Sequence, residues 1–587
     1  MKHYILSLLL LFMAVFEIHA ASQTVLHVEK PGTLGELIPA TERYAMTSIK
    51  VTGDINMSDI MLLRDMAGAK DFKEQTEGKL TSIDISEATI KGNDRDAYLV
   101  LDDETSYFSQ DNTLGEFAFY NCVNLQTIKL PKGLKRIGGQ ALGWCKSLKD
   151  INLPEGLEEI GFAAFTFCES VRSLELPQSV TKLNKKCFEW MSELTTLKLN
   201  DNVRVLPEGA TTRLYNLKSI YFGKSLRVFD KDMFFYLPEL KRIEVSDENV
   251  KYMADNGILF SKNGNEIIAY PNNYDGVSYT IPKGVSSISD YCFGNARNLI
   301  DIRIPGHVES IGNYAFWFCE KLERAIVEEG VRSIGESGFE NCHSLRVLSL
   351  PSTLSSIGAC AFNLTYALKS IDLSPYNPYF VINKNTLYSK DMRRLIYVNP
   401  FAEDPFEEYH TDERVMVVES GALCYLKEMK RLIFSDGVRT IKGNVVNSAF
   451  KLESIVLGRN VSRIEEGAIS MSLMLNEVYC MSPVLTDVAK GAFSSPLLEE
   501  SGTLYVPVGT KDFYMKQSWV YDEETHHSYF ANVVEKDFTT GMQSVNISDD
   551  SISVGYITPD GIIHSTPQHG INIVRSANGE VRKMILP

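Results

Sequence analysis

The stretch LQTIKLPKGLKRIGGQALGWCKSLKDINLPEGLEEIGFAAFTFCESVRSLELPQSVTKLNKKCFEWMSE (residues 125–193) decides the fold, because it consists of three units of equal length. The units begin at Leu125, Leu148 and Val171, which gives a period of 23 residues. Aromatic and aliphatic columns keep this period in two later blocks: Phe293, Phe316, Phe339 and Phe362, then Ile441 and Ile464. Such a period predicts a repeat architecture.

Each unit has two halves. Ile128 and Leu130 alternate with polar residues, which predicts a short, half-buried strand that Pro131 ends. The spacing of Ala141, Cys145 and Leu148 is i, i+4, i+7, which predicts a short helix. The sequence therefore predicts an α/β repeat solenoid, a leucine-rich-repeat horseshoe in which each unit buries its apolar side against its neighbours.

The pattern AF-x-x-C-x-x-L-x-x-I-x-LP-x-x-L-x-x-IG resembles the BspA-like leucine-rich repeat family of bacterial surface proteins. The segment KVTGDINMSDIMLLRDMAG (50–68) resembles the N-terminal cap that precedes such repeats, with Ser58 as the expected N-cap of its helix. Residues 504–538 resemble the closing cap of the family. The end of the chain resembles small C-terminal β modules of secreted Bacteroidetes proteins, some of which are sorting signals; the alternative is a plain terminal β module.

The sequence thus divides into a signal peptide (1–20), an N-terminal cap region (21–113), repeats (114–500) with insertions near 247–281 and 376–420, a C-terminal cap (501–540) and a C-terminal β tail (541–587). The two insertions align with each other, and Asn263-Gly264 predicts a hairpin in the first. Insertions in repeat arrays often serve binding, but they can equally be decoration.

The first residues, MKHYILSLLLLFMAVFEIHA, combine a positive Lys2, an apolar stretch and small residues at Ala20 and Ala21, as a secretory signal peptide does. The first cysteine is Cys122, so a lipoprotein anchor is not expected. The sequence predicts a protein that is secreted or held at the outer cell surface, without a transmembrane segment. The formal net charge of −16 argues against nucleic acid as a partner, since phosphate binding needs a surplus of Lys and Arg.

Ten cysteines in an exported chain raise the possibility of disulfides. However, Cys122, Cys145 and Cys168 form a column at the repeat period, and Met191 fills the same position one unit later. The pattern therefore favours buried free thiols over a disulfide ladder. The sequence has no HExxH, GxSxG or P-loop pattern and no CxxC pair. It predicts no enzyme, no cofactor and no metal ion.

Two sets of residues are candidates for ligand binding. The first is an aromatic column at the repeat period, formed by Trp144, Phe167 and Trp190. Such a column can bind sugar faces or serve as a protein hot spot, or it can pack over the outside of the solenoid. The second set occupies the strand positions that should face outward: Lys129, Asn152, Glu175, Lys198, Tyr221 and Glu244. These are polar, mixed and not convergent, which suits a broad recognition surface or a plain solvated face.

The resemblance implies a binding protein of the bacterial surface, with adhesins for host matrix proteins or for other bacterial surface proteins as the expected class. The alternative is a glycan-binding module that uses the aromatic column to hold a polysaccharide. Both hypotheses rely on many modest contacts along an extended face, not on one pocket.

Overall fold

A stack of parallel coils makes up the molecule. The computed structural model describes residues 24–70, 74–101, 104–401 and 406–538, and the backbone of four strands between 553 and 586. The predicted signal peptide (1–20) lies outside the described residues. Most coils contribute one strand to each of two parallel ladders, so the predicted leucine-rich-repeat solenoid is confirmed.

The first ladder carries the strand that the alternation around Ile128 predicts. Strands in this ladder pair in parallel, and the ladder has four sections. They are Thr24–Val28, Ser48–Ile55, Ser82–Asp84, Thr127–Lys129 and Asp150–Asn152, with Ala88–Ile90 beside Ser48–Ile55; Ser173–Glu175, Thr196–Lys198, Ser219–Phe222 and Arg242–Val245; Ser278–Thr280, Asp301–Ile304, Arg324–Val327, Val347–Leu350 and Asp372–Leu373; and Glu408–His410, Arg431–Ile433, Ser454–Leu457, Glu477–Cys480, Thr503–Pro507 and Asn532–Lys536.

The second ladder is made of shorter strands, most of which end at the Ile, Leu or Val residue equivalent to Ile137. Its sections are Thr113–Leu114, Arg136–Ile137, Glu159–Ile160 and Lys182–Leu183; Tyr252–Asp255, Ile258–Ser261, Glu266–Ala269, Ser287–Ile288, Ser310–Ile311, Ser333–Ile334 and Ser356–Ile357; and Phe380–Asn383, Thr386–Ser389, Arg394–Val398, Val417–Val418, Thr440–Ile441, Arg463–Ile464 and Asp487–Val488. Both ladders place equivalent residues of successive units side by side, as Ile137 and Ile160 show.

Both insertions are part of the second ladder. In the first, Ile258–Ser261 pairs antiparallel with Glu266–Ala269, which confirms the hairpin predicted at Asn263-Gly264. The last strand of that hairpin then pairs in parallel with Ser287–Ile288 and starts the next section of the ladder. The second insertion repeats this arrangement, with Arg394–Val398 beside Val417–Val418. The insertions therefore join repeat blocks to one another through the core.

The helix predicted at Ala141, Cys145 and Leu148 is wrong: this half of the unit is a chain of turns. The amides of Gln140 and Trp144 donate to carbonyl oxygens of the next coil, while Cys145 N–H donates to the carbonyl three residues earlier. Gln140 and Trp144 have positive φ (50° and 64°), a left-handed conformation that aims their amides along the stack. The apolar spacing fits this turn as well as it fits a helix. We call this side of the coils the turn face.

Regular helices are few. They are Leu34–Leu37, Met57–Met66, Pro496–Glu500 and Lys511–Tyr514, with a 3₁₀ helix at Lys231–Tyr236. The predicted N-cap Ser58 lies inside the helix Met57–Met66, which begins two residues earlier than expected. Asn56 is the N-cap instead. Its side-chain oxygen accepts hydrogen bonds from the backbone amides of Ser58 and Asp59, and the Asp59 carboxylate accepts one from the backbone amide of Asn56.

Smaller sheets complete the structure. Asn93–Val100 pairs with Ser106–Ser109, Val446–Asn447 with Ile469–Ser470, and Tyr521–Asp522 with His527–Ser528. In the predicted tail, the strands Ser553–Ile557, Ile563–His564, Gly570–Ser576 and Val581–Leu586 form an antiparallel sheet.

Aliphatic, phenylalanine and cysteine columns fill the core. All ten cysteines are free, and nine of them are buried. The thiol of Cys145 donates to the carbonyl oxygen of Phe119 in the preceding coil (3.1 Å), and Cys319 does the same toward Phe293 (3.0 Å). Cysteine thus supplies both a small apolar side chain and a weak donor to a buried carbonyl. This confirms the prediction of buried free thiols.

Candidate binding surfaces

The outward side of the first ladder presents the predicted polar residues to solvent; we call it the strand face. Register places Lys129 beside Asn152, and it aligns Glu175, Lys198, Tyr221 and Glu244 in one row. All six are exposed except Tyr221, which is half-buried. Ile128 and Leu174, one residue before Lys129 and Glu175, point inward and are buried. The alternation read from the sequence therefore assigns the two sides of these strands correctly.

The strand face has a break that the period does not predict. Within the described residues, no strand pairs with the edge of Asp150–Asn152 that faces Ser173–Glu175. Ile151 and Leu153 are half-buried there, although the equivalent Ile128 and Leu130 are each 1% exposed. The second ladder stays paired at this point, so the coils separate on the strand face alone. The break thus divides the six predicted residues into two groups: the pair Lys129 and Asn152, and the row Glu175, Lys198, Tyr221 and Glu244.

Charges on the strand face are paired with one another. The Lys198 ammonium lies 2.6 Å from the Glu175 carboxylate and 5.9 Å from the centre of the Tyr221 ring. Lys129 lies 3.3 Å from Asp84 of an earlier strand. Pairs this exposed contribute at most about 1 kcal/mol each, so they serve to orient side chains more than to stabilise the fold. The surface offers alternating charges and a phenol, which is typical of a contact surface.

Asp84→Asn tests the electrostatics of this face. Burial acts to raise the pKa of Asp84, whose side chain is 10% exposed, but hydrogen bonds from Ser86 and Lys129 outweigh it and hold the pKa below its usual value. A carboxyl whose pKa is lowered by folding stabilises the protein above its unfolded pKa of about 3.9, and this stabilisation is lost as the pH falls through the folded pKa. We expect the variant to cost about 1 kcal/mol at pH 7 and progressively less below pH ~4.

Urea denaturation of both proteins between pH 7 and pH 3 measures this difference. A cost that stays constant across the range would show that Asp84 acts through its shape and not through its charge.

A stacked tyrosine pair at the other end of the strand face escaped the sequence analysis. The rings of Tyr479 and Tyr505 lie 4.5 Å apart and nearly parallel, and both hydroxyls donate to the Glu477 carboxylate. The Lys536 ammonium lies within about 5 Å of both ring centres. Tyr479 occupies the same strand position as Lys129, so the repeat phase could have found it. The strand face therefore carries aromatic side chains at two places.

The aromatic column lies on the turn face. Trp144 and Phe167 stack with ring centres 4.1 Å apart, and Phe167 and Trp190 follow at 4.9 Å, so the structure brings all three together. All three have positive φ, which places equivalent side chains directly above one another. Lys146 lies over the Trp144 ring, and Arg213 over the Trp190 ring. The flat faces of the rings are thus largely covered by one another and by these cations.

One arrangement resembles a nucleophile with its base. The Ser289 hydroxyl lies 2.7 Å from the Lys231 ammonium, but the Glu266 carboxylate contacts both groups. Lys231 forms an ion pair with Glu266 at 2.8 Å and donates a hydrogen bond to the serine hydroxyl, so its ammonium group is already engaged. Among the described residues there is also no cluster of three or more His, Cys, Asp or Glu side chains placed to hold a metal ion. The group has the character of a structural network.

None of the helices in the described ranges combines the length and the apolar character that a membrane span requires.

Comparisons with known proteins find distant likenesses among solved structures. Among solved structures, the pneumococcal vaccine antigen PcpA is 17% identical, with 87% of this chain and 92% of that chain covered and a TM-score of 0.38. A leucine-rich cell surface protein of Faecalibacterium prausnitzii is 19% identical over 64% and 84% of the two chains, with a TM-score of 0.35. A leucine-rich repeat protein of Bacteroides ovatus is 16% identical over 64% and 84%, with a TM-score of 0.32. A search of the curated proteins finds no match.

These likenesses are distant, and the assignment rests on a family model. The model of the BspA type leucine-rich repeat region matches six copies over residues 112–241, 269–390 and 394–504. These ranges make up more than half of the chain and coincide with the coils described above. The chain therefore belongs to the BspA-type leucine-rich repeat family.

Proposed function

We propose that this protein is a secreted or surface-attached adhesin that recognises an extracellular protein through its strand face. The observation that carries the proposal is the row formed by exposed Glu175, Lys198 and Glu244 with half-buried Tyr221, in register on successive coils. Tyrosine and alternating charges on a rigid surface are what protein–protein interfaces use. A matrix protein of a host or a surface protein of another bacterium fits this surface, and the signal peptide predicted at residues 1–20 supports export.

Recognition suits the molecule better than catalysis does. The strand-face groups pair with one another along the ladder and do not converge on one point. The Ser289 group lacks a free base, because Glu266 keeps Lys231 in an ion pair. We also propose that residues 541–587 form a separate β module that serves sorting or retention at the surface.

The second candidate function is binding of a polysaccharide by Trp144, Phe167 and Trp190. The stacking of three rings on successive coils favours it, since sugars bind to aromatic side chains. The same stacking counts against it, because the rings cover the faces on which a sugar would lie. The column then offers ring edges and two cations, which suit a protein contact as well.

A binding screen of the full chain distinguishes the two functions. Immobilised matrix proteins, bacterial surface proteins and polysaccharides would be tested by biolayer interferometry for binding of the natural chain, two double variants and one single-substitution control. Tyr221→Ala with Tyr479→Ala alters the strand face, Trp144→Ala with Trp190→Ala alters the aromatic column, and Phe162→Ala removes an exposed ring outside both. We expect a protein ligand whose affinity falls at least tenfold in the strand-face variant, as hot-spot residues require.

The control variant should bind as the natural chain does. A polysaccharide ligand lost only in the column variant would replace the first function with the second. A protein ligand whose affinity is unchanged by the Tyr221 and Tyr479 substitutions would show that the strand face is not the binding surface.

A further inference from the structure

A second aromatic group lies on the turn face, beyond the predicted column. Phe318 directly precedes Cys319, as Trp144 precedes Cys145, so it occupies the same position in its coil. Its ring and that of Trp317 lie 4.9 Å apart, and both contact Phe235 of the 3₁₀ helix Lys231–Tyr236. The group therefore connects the repeat block before the first insertion with the block after it.

A glycine lies beside this contact. The rings of Phe235 and Trp317 stack at 4.5 Å across the coil that carries Gly294, which is buried and has no side chain to separate them. A Cβ atom on Gly294 would lie 3.4 Å from the Phe235 ring. The side-chain amides of Asn272 and Asn295 both donate to the carbonyl oxygen of Phe235 (3.1 and 3.2 Å). The stacked pair is thus held in place on a rigid support.

Two tyrosines extend the group. Tyr291 and Tyr314 stack at 4.8 Å and nearly parallel, and the Trp317 ring stands edge-on to both. Tyr236 packs edge-on against Phe235 and is 46% exposed. The surface thus presents two stacked pairs that meet at Trp317, with hydroxyl groups at its margin.

Four carboxylates surround these rings: Asp232, Asp290, Glu336 and Glu340. Burial, followed by the charge of Asp232, raises the pKa of the Tyr291 phenol, and Asp290 and Glu336 add to it. Burial and a 3.0 Å hydrogen bond to Glu336 raise the pKa of Tyr314 to about 12. Negative charge thus acts directly on the phenols. We call these four carboxylates with Phe235, Tyr236, Tyr291, Tyr314, Trp317 and Phe318 the acidic aromatic patch.

Positive charge is missing from the patch. In the described part of the chain, none of the four carboxylates forms an ion pair, and neither Lys nor Arg lies over a ring of the patch. The cations nearby are engaged elsewhere, Lys231 with Glu266 and Arg297 with Glu239. The aromatic column differs in this respect, because Lys146 and Arg213 cover its ends.

We propose that the acidic aromatic patch binds a basic segment of a partner protein. An arginine or lysine side chain placed over the rings gains a cation–π contact, and the carboxylates at the margin neutralise its charge. The net charge of −16 draws such a segment toward the molecule. This surface is separate from the strand face, so it gives the protein a second point of contact whichever ligand the strand face binds.

A fluorescein-labelled tetra-arginine peptide tests the proposal by fluorescence anisotropy on the full chain at low salt. Asp232→Asn with Glu336→Gln removes two charges of the patch and leaves its rings in place. Glu155→Gln with Asp247→Asn removes the same charge from exposed positions outside it and serves as the matched control. We expect affinity to fall about tenfold in the patch variant and less than twofold in the control. Trp317→Leu should weaken binding to a similar degree, whereas Trp144→Leu should not.

Equal losses in the two charge variants would mean that the peptide responds to overall charge, and would overturn the proposal. Undiminished binding by the Asp232 and Glu336 variant, or no binding of the peptide by the natural chain, would do the same. If Trp317→Leu impairs folding, the two charge variants still decide the question, because neither changes the packing of a ring.

Discussion

Phe316→Ala is expected to lower the free energy of unfolding by about 3–5 kcal/mol, the range measured when a large buried aromatic side chain is removed from a core. Phe316 is 0% exposed, and its ring stacks between those of Phe293 (4.9 Å) and Phe339 (4.8 Å), both nearly parallel to it. Removing the ring leaves a cavity inside a continuous column of phenylalanines. The hydrogen bonds of the two ladders keep the neighbouring coils at a fixed spacing, so the site cannot collapse. Urea denaturation followed by circular dichroism measures the loss.

Phe162→Ala is the matched control, because Phe162 belongs to the same repeat architecture but is 49% exposed. It should change stability by less than about 1 kcal/mol. Equal costs for the two substitutions would show that the phenylalanine column does not carry the stability that its packing implies. In a repeat array, two transitions can replace one, so the midpoint of each is compared separately.

Gly335→Ala is expected to destabilise the protein by about 3 kcal/mol, although it adds only one carbon atom. A Cβ at this position would lie 2.5 Å from the amide nitrogen of Asn313 and 2.6 Å from the carbonyl carbon of Gly312 in the preceding coil. Both atoms are backbone, so relief of the contact requires the coils to move apart and their hydrogen bonds to lengthen. The glycine of the Ile-Gly pair is therefore required for close stacking and not for an unusual φ.

Gly284→Ala provides the comparison. Its nearest atom would be a backbone oxygen 3.8 Å away, which is an ordinary contact, and Gly284 lacks a positive φ. The substitution should stay within about 0.5 kcal/mol of the natural chain, as surface changes usually do. Thermal melting of both variants is sufficient to compare them. A similar loss in both would contradict the clash as the cause, because the effect of alanine on the unfolded chain is stabilising and cannot account for it.

The repeat architecture could be predicted because one physical requirement recurs in every unit. A residue that faces the core in one coil faces it in the next, so Ile137 and Ile160 keep a fixed spacing and become neighbours in the second ladder. The outward position of Lys198 followed from the same alternation. These features depend on the period alone, and the period is visible in the sequence.

The conformation of the turn half could not be predicted in the same way. Apolar residues at Ala141, Cys145 and Leu148 lie on one side of a helix, but they also lie on one side of a turn whose alternate amides bond to the next coil. The pattern of apolar residues indicates which side of a segment faces the core. It does not indicate which carbonyl oxygen each backbone amide bonds to. The left-handed φ of Trp144 was therefore hidden, since tryptophan carries no preference for it.

Features that depend on differences between units were also missed. The acidic aromatic patch requires Phe235 and Trp317, which are far apart in sequence and stack across the coil that carries Gly294. The break in the first ladder beside Asn152 arises between two units whose sequences follow the same repeat pattern. To find such features, each repeat unit would have to be compared with the average sequence of all units, so that residues which depart from the repeat pattern stand out.

The direction of the hydrogen bonds in both ladders has a mechanical consequence. These bonds run along the stacking axis, so a force that pulls the two ends of the solenoid apart loads the coils in series and opens them one after another, like a zip. Each coil occupies about 4.8 Å of the axis when folded, but its 23 residues extend to roughly 80 Å when drawn out. A cell tethered through this molecule would thus be held by a spring that lengthens in steps and dissipates the pull of a flowing liquid.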